Sequence, residues 1–147
     1  MDWIQAPLLS ISDKQIKSIK NKNLSVYRRF AGDTFKDTNT QTIIPQMQNF
    51  TGNIWYLSAI DVKHAVHFDR HKYNKSQSYE ISTLGGLIYL IDIFTDGTEY
   101  WLNIQMKHMA TVAAQEMRIY KETNTLYNGW FFKISPDIGE FLNNFTI

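Results

Sequence analysis

The chain has 147 residues, no cysteine, 15 Lys and Arg against 14 Asp and Glu, and 14% aromatic residues. That length predicts one domain spanning residues 1–147, and the absence of cysteine excludes disulfides, thiolate metal sites and a cysteine nucleophile. A net charge of +1 supplies no global drive toward nucleic acid or an anionic membrane. It is unevenly spread: residues 1–38 hold seven basic and four acidic side chains, residues 81–147 four basic and seven acidic.

The N-terminal residues show no basic segment followed by an apolar run, and no stretch has the apolar length of a membrane span. Together with the missing cysteines this predicts a cytoplasmic protein. Ser12, with Gln15 three residues on, reads as a capping box opening a short amphipathic helix. Ile16 and Ile19 share its apolar face, and Lys14, Lys17, Lys20 and Lys22 cover the rest. Leu24, Tyr27 and Phe30 recur at three-residue spacing, which suits a second short helix. Residues 32–42 are polar and aperiodic and read as a loop. Ile43-Ile44 opens a strand that Pro45 ends.

Asn53 to Leu57 is a β-prone run following Gly52. Ser58 and Asp61 then suit the start of a helix reaching about residue 68. Lys72 to Ser78 reads as a polar loop, and Glu80 to Leu84 as a short strand. The longest β-prone stretch runs from Gly85 to Met106, split by Asp96-Gly97, and predicts a central hairpin. Ile88, Leu90 and Asp92 point one way and Tyr89, Ile91 and Ile93 the other, with both faces largely covered.

The 107–125 segment is ambiguous: its alanines favour a helix over 109–120, and its threonine and valine oppose one. Asn124 to Gly129 reads as a loop and Trp130 to Ile134 as a final strand. Ser135 caps a closing helix with Pro136 at its first position and an apolar stripe of Ile138, Phe141, Leu142 and Phe145. The fold expectation is α+β: a mainly antiparallel twisted sheet of about four to six strands, with N-terminal and C-terminal helices packed on it.

Several of these motifs, in order, are familiar. They are the capped helix followed by Leu24-x-x-Tyr27-Arg28-x-Phe30, the run Ile54-Trp55-Tyr56-Leu57-Ser58-Ala59-Ile60, the strand–Asp-Gly–aromatic-strand hairpin, and the closing Ile134-Ser-Pro-Asp-Ile-Gly-Glu-Phe-Leu-Asn-Asn-Phe145. In that arrangement the chain resembles the SUKH (Smi1/Knr4-like) superfamily. It departs from that family's pattern at Ser25, where proline is usual, and at the single Gly32, where a glycine pair is usual. The resemblance implies an α+β fold with a helix at each end. It also implies a bacterial immunity protein that neutralises a cognate toxin, often a nuclease, by direct occlusion.

For chemistry, His64, His67 and His71 would share one face if the helix continued, and three imidazoles so placed suit zinc. No His-Glu-x-x-His pattern accompanies them, and exposed helix residues are the simpler reading, so no metal, cofactor or catalytic residue is assigned. Asp92 with Glu99 is a conceivable carboxylate pair, but glycosidase work needs two carboxyls about 5–9.5 Å apart in a cleft. Ser10, Ser58 and Ser135 lack a nucleophile-elbow context, and Gly85-Gly86 suits a bend better than a phosphate loop.

The leading expectation is a non-enzymatic protein that binds a toxin domain through an acidic face of Asp96, Glu99, Glu116 and Glu122, since complementary charge steers encounter. The alternatives are a phage or plasmid inhibitor of a host defence component, a histidine-based metal hydrolase, and a nucleic-acid module.

Overall fold

The computed structural model describes residues 8, 9 and 11–146. Eight strands form a single sheet, β1 Ile16–Lys20, β2 Ser25–Tyr27, β3 Lys36–Asp37, β4 Asp61–His64, β5 Asn74–Thr83, β6 Leu87–Thr95, β7 Tyr100–His108 and β8 Trp130–Ile134. Their order is β3-β2-β1-β5-β6-β7-β8-β4, with every neighbour antiparallel. Helices α1 Met47–Trp55, α2 Ala114–Tyr127 and α3 Pro136–Asn144 complete an α+β fold.

The expected hairpin is present and lies in the middle of the sheet. Ile91 pairs with Ile104 and Ile93 with Leu102, and the chain reverses over residues 96–99. Asp96 Oδ1 accepts from the backbone N–H groups of Thr98 and Glu99, both at 2.9 Å. Gly97 supplies the positive φ of 96° that an L side chain would resist.

Alternation along the strands sends Leu87, Tyr89, Ile91 and Ile93 of β6 and Tyr100, Leu102, Ile104 and Met106 of β7 into the main core. Met47, Phe50 and Ile54 of α1, Tyr127 of α2 and Leu142 of α3 belong to the same cluster. Phe50 is its hub on the α1 side, with ring centroids 5.0 Å from both Tyr79 and Phe145. Two tyrosine hydroxyls tie distant segments together: Tyr79 donates to Leu142 O at 2.5 Å and Tyr127 to Leu8 O at 2.7 Å. Burial pushes the Tyr79 hydroxyl up to about 12.

The opposite face of the sheet is not covered throughout, as the apolar run of β6 had suggested. Ile88, Leu90 and Asp92 are half-buried there, and Asp92 Oδ1 accepts from Ser78 Oγ at 2.7 Å. This hydroxyl is what allows a carboxylate in an apolar strand.

Several local expectations are corrected. The helix expected from Ser12 is one 3-10 turn, Asp13–Gln15, followed by strand β1. The cap itself forms, since Ser12 N–H donates to Gln15 Oε1 at 2.8 Å. The second helix is strand β2, running on into a turn. Residues 36–37 within the expected loop form β3, and Ile43 makes only an isolated bridge to Lys36. The β-prone run at 53–57 ends helix α1, and the expected helix at 58–68 is strand β4 with a 3-10 turn over Ala65–His67. β5 begins at Asn74, inside the expected polar loop, and α2 continues through Tyr127.

The closing helix is as expected. Ser135 Oγ accepts from Ile138 N at 3.4 Å and Pro136 occupies the first turn. No helix among the described residues is long and apolar enough to cross a membrane.

Candidate functional site

After β4 the chain crosses the second face of the sheet as a strap, residues 65–73, before entering β5. Asp69 Oδ1 bends it by accepting from the N–H groups of His71 and Lys72, at 2.9 and 3.0 Å. Phe68 and Tyr73 then dock on Trp101 of β7 and Phe131 of β8, with Phe94 of β6 alongside. Phe68 stacks on Phe131 with centroids 3.8 Å apart and planes within 6°. This second, smaller core covers one end of the otherwise open face.

Cations lie over its rings. Arg70 is 5.4 Å from the Phe131 centroid, Lys63 5.6 Å from Trp101 and Lys72 5.1 Å from Tyr73, all within cation–π range. The rings themselves are buried, so what faces outward here is the positive charge of Lys63, Arg70 and Lys72 lying over them.

The hairpin tip is locked to this strap. Glu99 accepts from Lys133 Nζ at 2.7 Å and from the Tyr73 hydroxyl at 2.6 Å, with Lys72 at 4.0 Å from Glu99 and from Asp96. Lys133 and then Tyr73 hold the Glu99 carboxyl below its ordinary range. The backbone N–H groups of Glu99 and Thr98 do the same for Asp96. Both carboxylates proposed for an acidic rim are therefore engaged within the molecule.

The other two lie elsewhere. Glu116, in the first turn of α2, packs over Gly85 so closely that a Cβ there would overlap its carboxyl. It lines a cavity of about 530 Å³ with Leu87, Tyr89, Ile119 and Tyr127. Glu122 is exposed on α2. Asp96 and Glu99 sit at one end of the hairpin and Gly85 at the other, about 26 Å apart along a strand of this length. The four acids do not make one face.

The histidines do not share a helix face, because His64 ends a strand and His67 a 3-10 turn. His64 packs edge-on to Trp130 at 5.2 Å, and its Nδ1 accepts from Val66 N at 3.3 Å. Among the described residues no group of three His, Cys, Asp or Glu is placed to hold a metal. Asp92 is paired in register with Asn103, whereas Glu99 lies beyond the strand end, so the two carboxylates are not brought together. Ser135 caps α3, Ser58 lies between α1 and β4, and Ser10 lies outside the described residues.

A surface missed in the sequence lies on the run from α1 to the strap. Trp55, Tyr56, Ile60 and Val66 are 43%, 73%, 47% and 75% exposed, and account for half of the exposed large apolar side chains among the described residues. The signal was in the helix period. Met47, Phe50, Thr51 and Ile54 are the buried positions of α1, which leaves Trp55 and Tyr56 off the inward stripe. Reading residues 53–57 as a strand hid that.

The outer strand β4 beside this run is poorly suited to adding a further strand. It is four residues long, carries Asp61 and Lys63, and its Val62 N–H is taken by Asp61 Oδ1 at 2.8 Å.

The chain matches no family model, no curated protein and no solved structure. The SUKH likeness rests on its motifs. The closing motif forms helix α3, and β1 and β2 stand where the leading helix was expected.

Proposed function

We propose that this chain is a non-enzymatic binding protein of the toxin-immunity type, which blocks a protein partner by covering it. One observation carries the reading: Trp55, Tyr56, Ile60 and Val66 stand exposed within twelve residues, leading along the outer edge of the sheet into a strap whose cations lie over its rings. Tryptophan, tyrosine and arginine dominate binding energy at protein interfaces. Their large rigid rings bury area at little entropic cost.

The charge of this surface differs from the acidic face expected from sequence. Lys63, Arg70 and Lys72 are exposed here beside Asp61 and Asp69, so positive charge slightly exceeds negative. The complementary partner surface therefore carries carboxylates around an apolar pocket.

Copurification with the product of the neighbouring gene tests the reading. Replacing both Trp55 and Tyr56 by Ala removes about 2 kcal/mol or more of binding, a factor of roughly thirty, with the fold unchanged. Retained binding in that double variant, with loss on reversing the charge of Glu116 and Glu122, would move the interface to α2. Failure of any protein partner to copurify, with protection absent in cells, would sink the immunity reading itself.

A further inference from the structure

Away from this surface, where β2 turns toward β3, lies a polar cavity of about 350 Å³. Tyr27, Arg28, Arg29, Asp33, Lys36 and Gln41 line it. It is small, but within the range of ligand sites.

Arg28 is its unusual member. It is 3% exposed, among the few buried polar residues of the described chain. Nε donates to Ile16 O at 2.8 Å, and Nη1 donates to Asp13 Oδ2 at 3.2 Å and to Asp33 O at 3.4 Å. The guanidinium carbon sits 4.5 Å from the Phe35 ring centroid. Nη2 has no hydrogen-bond partner among the described residues. A buried cation with an unused donor is costly unless something neutralises it. Its one carboxylate partner, Asp13, is half exposed and so compensates weakly.

The rest of the lining deepens the imbalance. Arg29 and Lys36 add two positive charges, and Asp33 is the single carboxylate among the cavity residues. Nearby Asp37 is not among the lining residues, and its Oδ1 accepts from the N–H groups of Asn39 and Thr40, both at 2.9 Å. Among the lining residues three cations face one acid, with Asp13 bridged to Arg28 from outside, and a planar guanidinium with a free donor at the wall is suited to an oxyanion. Arginine binds phosphate oxygens in pairs, and lysine adds a point charge.

We propose that this cavity binds the phosphate group of a small phosphorylated molecule, with Arg28 supplying the buried charge and Arg29 and Lys36 closing on the phosphate from the rim. None of its lining residues belongs to the partner surface along residues 55–72, although Asp13, which pairs with Arg28, also borders a groove with Trp55.

The test is a titration of the full chain with inorganic phosphate and with adenosine monophosphate. Amide shifts are followed by NMR, with chloride at matched ionic strength as the control. The expected result is saturable shifts confined to residues 27–41 with both phosphates. Affinity should weaken about tenfold in Arg29→Gln and in Lys36→Gln, the loss of one charge-assisted contact each. Both side chains are exposed, so these variants keep the fold even where Arg28→Gln does not.

Tighter binding of the nucleotide than of inorganic phosphate would show that the rest of the cavity contributes. Equal binding would confine recognition to the phosphate group. Shifts matched by chloride, shifts unchanged in both rim variants, or no saturable shift with either phosphate up to about 10 mM would overturn the proposal. A purely structural Arg28 gives that last result.

Discussion

The Tyr73 hydroxyl donates to Glu99 Oε2 across 2.6 Å, joining the strap to the hairpin tip over 26 residues of sequence. Lys133 of β8 meets the same carboxylate from the other side. Three separate segments therefore converge on one charge, and Glu99 is a fastener of the second core.

Because its folded carboxyl lies below the ordinary 4.5, Glu99 contributes stability above the unfolded value and loses it as pH falls through the folded one. Urea unfolding followed from pH 7 to pH 3 should show wild-type stability declining across the acid range. Glu99→Gln should lower stability at pH 7 by about 1 kcal/mol and flatten part of that acid slope. An unchanged slope would mean that the carboxylate is not held in solution.

Phe68 anchors the strap by stacking on Phe131. Phe68→Ala should cost about 3 kcal/mol. Hydrogen exchange should show the amides of residues 65–73 opening while those of β6 stay protected, because the strap's core is separate from the main one. Uniform loss of protection across the sheet would show that the two cores unfold as one.

Gly139 lies in α3, where alanine would ordinarily favour the helix by about 1 kcal/mol. Here a Cβ would overlap the Tyr100 ring. Gly139→Ala should therefore destabilise by about 2 kcal/mol, read as a lower midpoint in thermal unfolding. A stabilised variant would mean that α3 sits farther from β7.

His64, His67 and His71 are spread over a strand end, a 3-10 turn and a loop. Thermal unfolding with added zinc or with a chelator should give the same midpoint. A zinc-dependent rise would require the strap to rearrange around the metal.

How much of this was legible in the sequence depended on how local the signal was. The acidic residues show the limit for function. Asp96 and Glu99 were correctly placed on the hairpin tip, yet their partners Lys72, Tyr73 and Lys133 come from other segments. Charge along the chain does not reveal neutralisation across it. The Trp55–Tyr56 pair is hidden for the opposite reason, since its exposure follows from the phase of a helix whose last residues carry β-prone side chains.

By itself the sequence determined the hairpin and the closing helix. A near-continuous β-prone apolar run broken by Asp96-Gly97, and a Ser-Pro cap before an apolar stripe, specify their structures through contacts between near neighbours. Tertiary structure decided residues 11–30 and the region after α1. Ile16 and Ile19 are three apart, the spacing of a helix face, yet both are fully buried from a strand. A register shift between Ile16 and Ser18 in the pairing with β5 turns the odd spacing inward on one side. Segments this short have no stable preference of their own. The open edge of β5 and the buried ladder it offered settled which structure they took.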